Sequence, residues 1–192
     1  MSEWPKRKLD PSAVKLIESR GDLSPDLWAQ AIREQQARVT AASTALSEQA
    51  QRGGMEMTNL EPFRRVRYEG HFLLVAIAHV LKIREVFFDL THDARLAEAQ
   101  QQFDAAAPDA KHLRDMLEHM DRYAFGTGRL QVAGEVDKNA AFQIITLMIN
   151  TGRVRFRFDK EVDLEAAASA ALEVAAVAAE VRRDHVDQSV DN

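Results

Sequence analysis

The stretch from residue 62 to residue 90, PFRRVRYEGHFLLVAIAHVLKIREVFFDL, decides the fold. Pro62 is a typical first residue of a helix, because its ring fixes φ and its missing N–H is not needed there. Between Phe72 and Val86 the segment is apolar on most sides of a helix that turns about 100° per residue. We therefore predict a central helix surrounded by other helices, with a kink at Gly70.

Start and stop signals on both sides of this stretch predict further helices. Ser24-Pro25 begins a long helix that Arg52-Gly53-Gly54 ends. Its inward-facing candidates are Trp28, Ile32, Val39 and Leu46. Thr91 is expected to cap the next helix, because a threonine hydroxyl can accept a bond from a free helical N–H. The inward residues of that helix are predicted to be Leu96, Ala99 and Phe103. A short helix is also predicted for residues 11–20.

The pattern changes to a β-hairpin at residues 142–158. β-branched residues are followed by the turn Asn150-Thr151-Gly152 and by a strictly alternating segment, Arg153 to Phe158. Asp163 then caps an Ala-rich helix that extends to about residue 183.

These elements predict a mostly α fold, a helical bundle with a small β-hairpin before the last helix. The expected domain is a single one over residues 1–192. The bundle comprises residues 24–125 and 163–183, the hairpin is an insert at 142–158, and residues 1–9 and 184–192 are expected to be flexible.

Composition excludes several classes of function. The 192 residues contain no cysteine, which rules out disulfides, thiolate catalysis and Cys-ligated zinc. The net charge is −5, so any contact with nucleic acid must be local. The longest apolar run, near Phe72 to Val80, is too short and too polar to span a bilayer, and the first residues lack the apolar core of a signal peptide. We expect a cytoplasmic protein without membrane partners.

A second stretch, PDAKHLRDMLEHMDRY from Pro108 to Tyr123, predicts an amphipathic helix. Its core side consists of Leu113, Met116, Leu117 and Met120. Its opposite side carries Lys111, Arg114, Asp115, Glu118 and Arg122, and one border carries His112, His119 and Tyr123. Arg114 and His119 project about 140° apart, so one helix cannot close both on the same phosphate. Two copies meeting across a two-fold axis would bring them together, which predicts a homodimer.

Arg114, Asp115 and His119 are the residue types that metal-free RNA cleavage needs. Histidine has a pKa near neutrality and can take or return the proton of the 2′-hydroxyl. Arginine stabilises the charge that builds on the phosphorane oxygens, and Asp115 is placed to position both. Weaker candidates for substrate binding are Lys111, Arg122 and Tyr123.

This Arg114-Asp115-x3-His119 spacing in a predicted helical bundle resembles the HEPN superfamily (higher eukaryotes and prokaryotes nucleotide-binding). The resemblance implies a HEPN-like bundle and a dimeric, metal-independent endoribonuclease that needs no cofactor. It also implies a place in a toxin–antitoxin or defence system, with an antitoxin or another protein as partner. The sequence departs from one branch of the family, which has a tyrosine at the position of Asp121, and the hairpin at 142–158 is not a general family feature.

Two alternatives to this interpretation remain open for the motif helix. The polar side is ordinary solvated surface if Asp115–His119 and Arg114–Glu118 form i,i+4 pairs. The chain is then a non-catalytic helical interaction module. Alternatively, His112, Asp115 and His119 form one stripe of metal ligands, which His71 and His79 would complete in a metal-dependent hydrolase.

Two clusters of arginine invite a comparable choice. Arg153, Arg155 and Arg157 alternate with apolar residues, so one face of the strand is basic and could hold an RNA backbone. The alternative is a charged outer face that discourages edge pairing. Arg64, Arg65 and Arg67, at the start of the central helix, allow the same two interpretations.

Overall fold

The computed structural model of this chain describes residues 23–53, 61–111, 132–134, 146–150, 153–158 and 160–190. Within these ranges there are four helices, α1 (Pro25–Gly53), α2 (Glu61–Thr91), α3 (Ala94–Ala106) and α4 (Leu164–Val190). A small antiparallel sheet consists of β1 (Thr146–Asn150), β2 (Arg153–Phe158) and β3 (Lys160–Asp163). The predicted mostly α fold, a helical bundle with a small β element before the last helix, is confirmed. The predicted helix at 11–20 lies outside the described residues.

Helix α2 is central to the bundle, as its apolar sequence predicts, and shares that position with α4. It contacts α1, α3 and α4 and runs without interruption through Gly70, which is buried. Its almost fully buried side chains include Leu73, Leu74, Ile77, Ile83 and Phe87. Phe72 is an exception within the apolar segment, because more than half of its surface is exposed. Burying a side chain of leucine or phenylalanine size contributes about 1.5–3 kcal/mol, so this row stabilises the bundle strongly.

Helix α1 begins where the sequence predicts. The Ser24 Oγ accepts a bond from the backbone N–H of Leu27 at 3.4 Å. Ile32, Val39 and Leu46 are buried against α2 and α4, and their seven-residue spacing keeps them on one side of the helix. Trp28, only partly buried, contacts both groups of core residues, one around Leu73 and the other around Phe87.

Helix α4 completes the core with small side chains. Its N-terminus is capped as predicted, because the Asp163 Oδ1 accepts bonds from the N–H groups of Glu165 and Ala166, both at 3.1 Å. Fully buried alanines along the helix allow its backbone to lie close to its neighbours. These residues are Ala167, Ala168, Ala171 and Ala178.

The predicted end of this helix near residue 183 is wrong, because α4 continues to Val190. Most of the segment 184–192, which the sequence predicts to be flexible, is therefore helical. Asp184 binds Arg95 of α3, and the His185 side chain is only 8% exposed. Polar residues here are held by partners on α3 that the sequence alone does not reveal.

The corner between α2 and α3 corrects the predicted cap. Thr91 is the last residue of α2, and its hydroxyl donates to the Phe87 carbonyl oxygen at 2.8 Å. The same hydroxyl accepts the N–H of Asp93 at 3.2 Å. His92 turns the chain with a φ of 53°, and Asp93 then caps α3 by accepting the Arg95 N–H. Thr91 therefore ends α2, and Asp93 is the N-cap of α3.

The sheet contains the predicted hairpin and one strand more. Strand β2 lies in the middle, with Leu147 and Val162 on either side of Phe156. Val162 of β3 is buried in the core. The strand β3 is only four residues long and leads directly into the cap of α4, so it lacks an independent sequence signal.

Candidate functional site

The residues predicted for catalysis, Arg114, Asp115 and His119, lie outside the described residues, as do Arg122 and Tyr123. Lys111 is the last described residue before this segment, and its Nζ lies 4.0 Å from the Asp104 Oδ1. Both side chains are about half exposed, so their attraction is weak and solvated.

Lys111 also faces α2. The pKa of Glu85 is lowered, chiefly by a hydrogen bond from Lys82 and to a smaller extent by the charges of Lys82, Arg84 and Lys111. The start of the predicted motif helix is therefore near the exposed Lys82–Glu85 pair, whose Nζ and Oε2 atoms are 2.9 Å apart.

The arginines of β2 do not match the edge-strand interpretation. Because β2 is paired on both sides, it has no open edge to protect, and that interpretation is wrong. In the strand register Arg155 lies opposite Asp163, and Arg157 lies opposite Glu161. Arg153 pairs with Asn150 of β1. The other interpretation of Arg153, Arg155 and Arg157, contact with an RNA backbone, stays a prediction.

The two histidines of α2 that the metal hypothesis uses have aromatic neighbours. The ring of His79 stacks on Trp28 with centroids 3.9 Å apart and planes 7° from parallel. The ring of His71 lies 5.9 Å from that of Phe72. No group of three or more His, Asp or Glu residues among those described is arranged to hold a metal ion. His112, Asp115 and His119 of the same hypothesis lie outside the described ranges.

Within the described ranges, the most distinctive exposed surface is a stripe on the N-terminal half of α2, which we name the α2 stripe. It consists of Arg64, Arg65, Tyr68 and Phe72, which are all exposed. Tyr68 and Phe72 are 63% and 59% exposed, unusual values for large aromatic side chains in a helix that is otherwise central to the core. Arg64, Tyr68 and Phe72 follow each other at i,i+4 spacing, so they lie in one row with steps of about 6 Å.

A hollow lies beside this stripe, between α1 and the first turn of α2. Its volume is about 320 Å³. Its walls are mainly apolar, and its charged residues are Arg38, Arg65 and Glu61. The apolar part of the wall is formed by Ala41, Ala42, Ala45 and Pro62. Arg65 belongs to both the stripe and the hollow, which makes the two features continuous.

The arginines of this surface are apparent in the sequence, but its aromatic residues are not. Phe72 begins an apolar run, and that run predicts a buried side chain. The i,i+4 spacing of Arg64, Tyr68 and Phe72 is the signal that could have separated them from the core.

A network of charged residues joins α3 to the last turns of α4. The guanidinium of Arg95 donates to both carboxylate oxygens of Asp93 and, at 2.7 Å, to Asp184. These bonds hold the pKa of Asp93 below its ordinary value, with the Arg95 hydrogen bond as the largest cause, and they raise the pKa of Arg95. The His185 Nε2 lies 3.8 Å from the Asp93 Oδ2. Since its groups are mutually paired, the network stabilises the fold and offers no open site.

None of the helices in the described ranges combines the length and the apolar character that crossing a bilayer requires. No protein-family model matches this sequence, and neither a curated protein nor a solved structure matches it.

Proposed function

We propose that this chain is a HEPN-like, metal-independent endoribonuclease. The observation that carries the proposal is the Arg114-Asp115-x3-His119 spacing in a chain whose described part is a helical bundle. A bundle of this kind supports the HEPN resemblance at the level of fold class. The setting we propose is the cytoplasm, in a toxin–antitoxin or defence system, with an antitoxin or another protein as regulating partner.

In this proposal His119 removes the proton of a 2′-hydroxyl, and the oxygen attacks the adjacent phosphorus. The O2′–P bond forms as the P–O5′ bond breaks, and the proton that His119 has taken is returned to the departing 5′-oxygen. Arg114 stabilises the phosphorane charge and Asp115 orients the two catalytic side chains. Because Arg114 and His119 project apart on one helix, each site takes its arginine from one protomer and its histidine from the other.

The first experiment measures cleavage of a labelled RNA in the presence of a chelator. Wild-type protein is expected to cut, and His119→Ala is expected to lose cleavage while keeping its helical circular dichroism and its melting temperature. His92→Asn is the matched control, because His92 is exposed at the α2–α3 corner and asparagine tolerates its positive φ. Undiminished cleavage by His119→Ala would remove this residue from the chemistry.

A mixing experiment tests the shared site. Arg114→Ala and His119→Ala are each expected to be inactive alone. When equal amounts are mixed and allowed to exchange, half of the dimers are mixed, and each has one intact site, so about a quarter of the wild-type activity should return. No recovery in a mixture that has demonstrably exchanged would contradict a site built from two protomers.

The second candidate function is a non-catalytic helical interaction module. The exposure of Tyr68 and Phe72 is the observation behind it, because large exposed aromatic side chains are typical of surfaces that bind a protein or a nucleic acid. Protein that is monomeric and inert on every RNA tested, with or without His119, would support this module and contradict the nuclease.

A further inference from the structure

We propose that the α2 stripe and the adjoining hollow bind a short segment of single-stranded nucleic acid. The inference extends the proposed function, since an endoribonuclease must hold its substrate. It rests on residues of α1 and α2 alone and uses neither Arg114 nor His119. Binding and cleavage can therefore fail independently of each other.

The first support is the order of residue types along the stripe. Arg64 and Arg65 come first, and Tyr68 and Phe72 follow at successive turns, so cationic and aromatic side chains extend over about 12 Å of helix. Single-stranded nucleic acid is typically bound by cations that contact its phosphates and by aromatic rings on which its bases stack. The two arginines followed by the two aromatic residues supply both kinds of contact along one line.

The second support is that the two cations of the stripe are available. Neither Arg64 nor Arg65 forms an ion pair with any residue in the described ranges. The nearby carboxylate of Glu69 is engaged by the Gln35 amide, which donates to it from α1. Glu61 is the acidic residue on the hollow itself. A phosphate bound by Arg64 and Arg65 on the side toward Tyr68 would be kept away from it.

The third support is the shape and chemistry of the hollow. Its volume of about 320 Å³ is at the lower end of the range for small-molecule sites and suits a group no larger than a nucleotide. Alanine walls fit the flat face of a heterocycle, while Arg38 and Arg65 are placed to contact its phosphate or to stack on its ring.

The dimensions favour this ligand over a protein partner. A stable protein interface involves roughly 20–30 residues and about 800 Å² on each side. The exposed aromatic surface here is one row of two side chains beside a small hollow. Two or three nucleotides, with bases on Tyr68 and Phe72 and one base in the hollow, match that extent.

The test is fluorescence anisotropy with full-length protein and a labelled 12-nucleotide single strand of mixed sequence, as RNA and as DNA. Both single strands should bind within a few-fold of each other, because stacking and phosphate contacts do not depend on the sugar. A duplex of the same sequence should bind at least about 10-fold more weakly, because its bases are already stacked with each other.

Two sets of variants separate the contacts. Arg64→Ala/Arg65→Ala should reduce the salt dependence of log K by about 1.4, since each phosphate contact on a single strand contributes about 0.7. Tyr68→Ala and Phe72→Ala should each weaken binding by roughly 5- to 100-fold with an unchanged salt slope. Lys82→Gln is the control for lost charge on the same helix, and Leu27→Ala is the control for lost exposed apolar surface.

Several outcomes would overturn the inference. These are the absence of binding at tens of micromolar protein in 100 mM salt, equal affinity for the duplex, and aromatic variants that bind like the controls. Sedimentation velocity can give a further contradicting result. If Tyr68→Ala or Phe72→Ala dissociates a dimer of the wild-type chain, the α2 stripe is a protein interface and not a nucleic-acid site.

Discussion

Replacement of Asp93 tests how the fold depends on the corner between α2 and α3. Asp93 has two roles there: it caps α3, and it forms a bidentate ion pair with Arg95. Loss of a cap costs about 1 kcal/mol. The Asp93 side chain is 15% exposed and that of Arg95 is 41% exposed, so solvent screens the pair and its contribution is about 1 kcal/mol. Asp93→Ala should therefore lower the free energy of unfolding by about 2 kcal/mol.

Asp93→Asn separates the two contributions. Asparagine caps helices as well as aspartate does, so this variant should lose only the charge and about 1 kcal/mol. For a chain of this size, the melting temperature should fall by about 4–8 °C in Asp93→Ala and by about half as much in Asp93→Asn. Asp104→Asn, which removes an exposed acid of α3, is the matched control and should stay within about 0.5 kcal/mol of wild type.

The difference in unfolding free energy between wild type and Asp93→Asn depends on pH with a defined sign. Arg95 holds the pKa of folded Asp93 below its ordinary value of about 3.9, so the folded state binds a proton less readily than the unfolded state. The charge-dependent stabilisation is complete above that ordinary value and is lost as the pH falls through the lower, folded pKa. Urea unfolding of wild type and Asp93→Asn should therefore differ fully at pH 6, and the difference should disappear as the pH falls through the lowered pKa of folded Asp93. Equal stability of Asp93→Ala and wild type at pH 6, or a difference that widens on acidification, would refute the reasoning.

Two further predictions concern the core. Phe103→Ala should cost about 3–5 kcal/mol in urea unfolding, because the ring is 1% exposed and its loss leaves a cavity between α3 and α4; a cost below 1 kcal/mol would show that the ring is not packed there. Ala171→Leu should destabilise by about 1–3 kcal/mol in the same assay, because the fully buried alanine leaves no space for a larger side chain, whereas Ala176→Leu on the exposed side of α4 should be nearly neutral. A stabilising effect of Ala171→Leu would contradict close packing of α4.

The sequence predicts those parts of the fold that depend on local chemistry. Pro25, Pro62 and Asp163 mark helix starts through their own φ or side-chain oxygen, and the structure places the helices within a residue or two of them. Ile77 is buried as predicted, because the apolar residues around it in the sequence fall on most sides of the helix. The corner at His92 is not predictable, because Thr91 and Asp93 can each cap a helix and only the backbone path decides between them.

The remaining differences arise from contacts between distant parts of the chain. Helix α4 continues through Asp184 because Arg95, 89 positions earlier in the sequence, binds this residue. No local sequence pattern predicts a contact at such a separation. The exposure of Phe72 likewise depends on where α1 and α4 lie around α2. Of the predicted site, only Lys111 and the backbone of β2 fall within the described ranges, and the pairing of β2 on both sides excludes the edge-strand interpretation of its arginines. The roles of Arg114, Asp115 and His119 stay predictions.

The position of α4 has a consequence for how this protein is made. Helices α1 and α2 are neighbours in sequence and can pair as soon as both have left the ribosome. The apolar row that includes Phe87 and Leu96 is covered by Ala178 and Val181, which are translated more than 80 residues later. Until then the apolar side chains of this row are exposed to water in the nascent chain. We therefore expect the folding yield to depend on chaperones and on the rate at which the residues between α3 and α4 are translated.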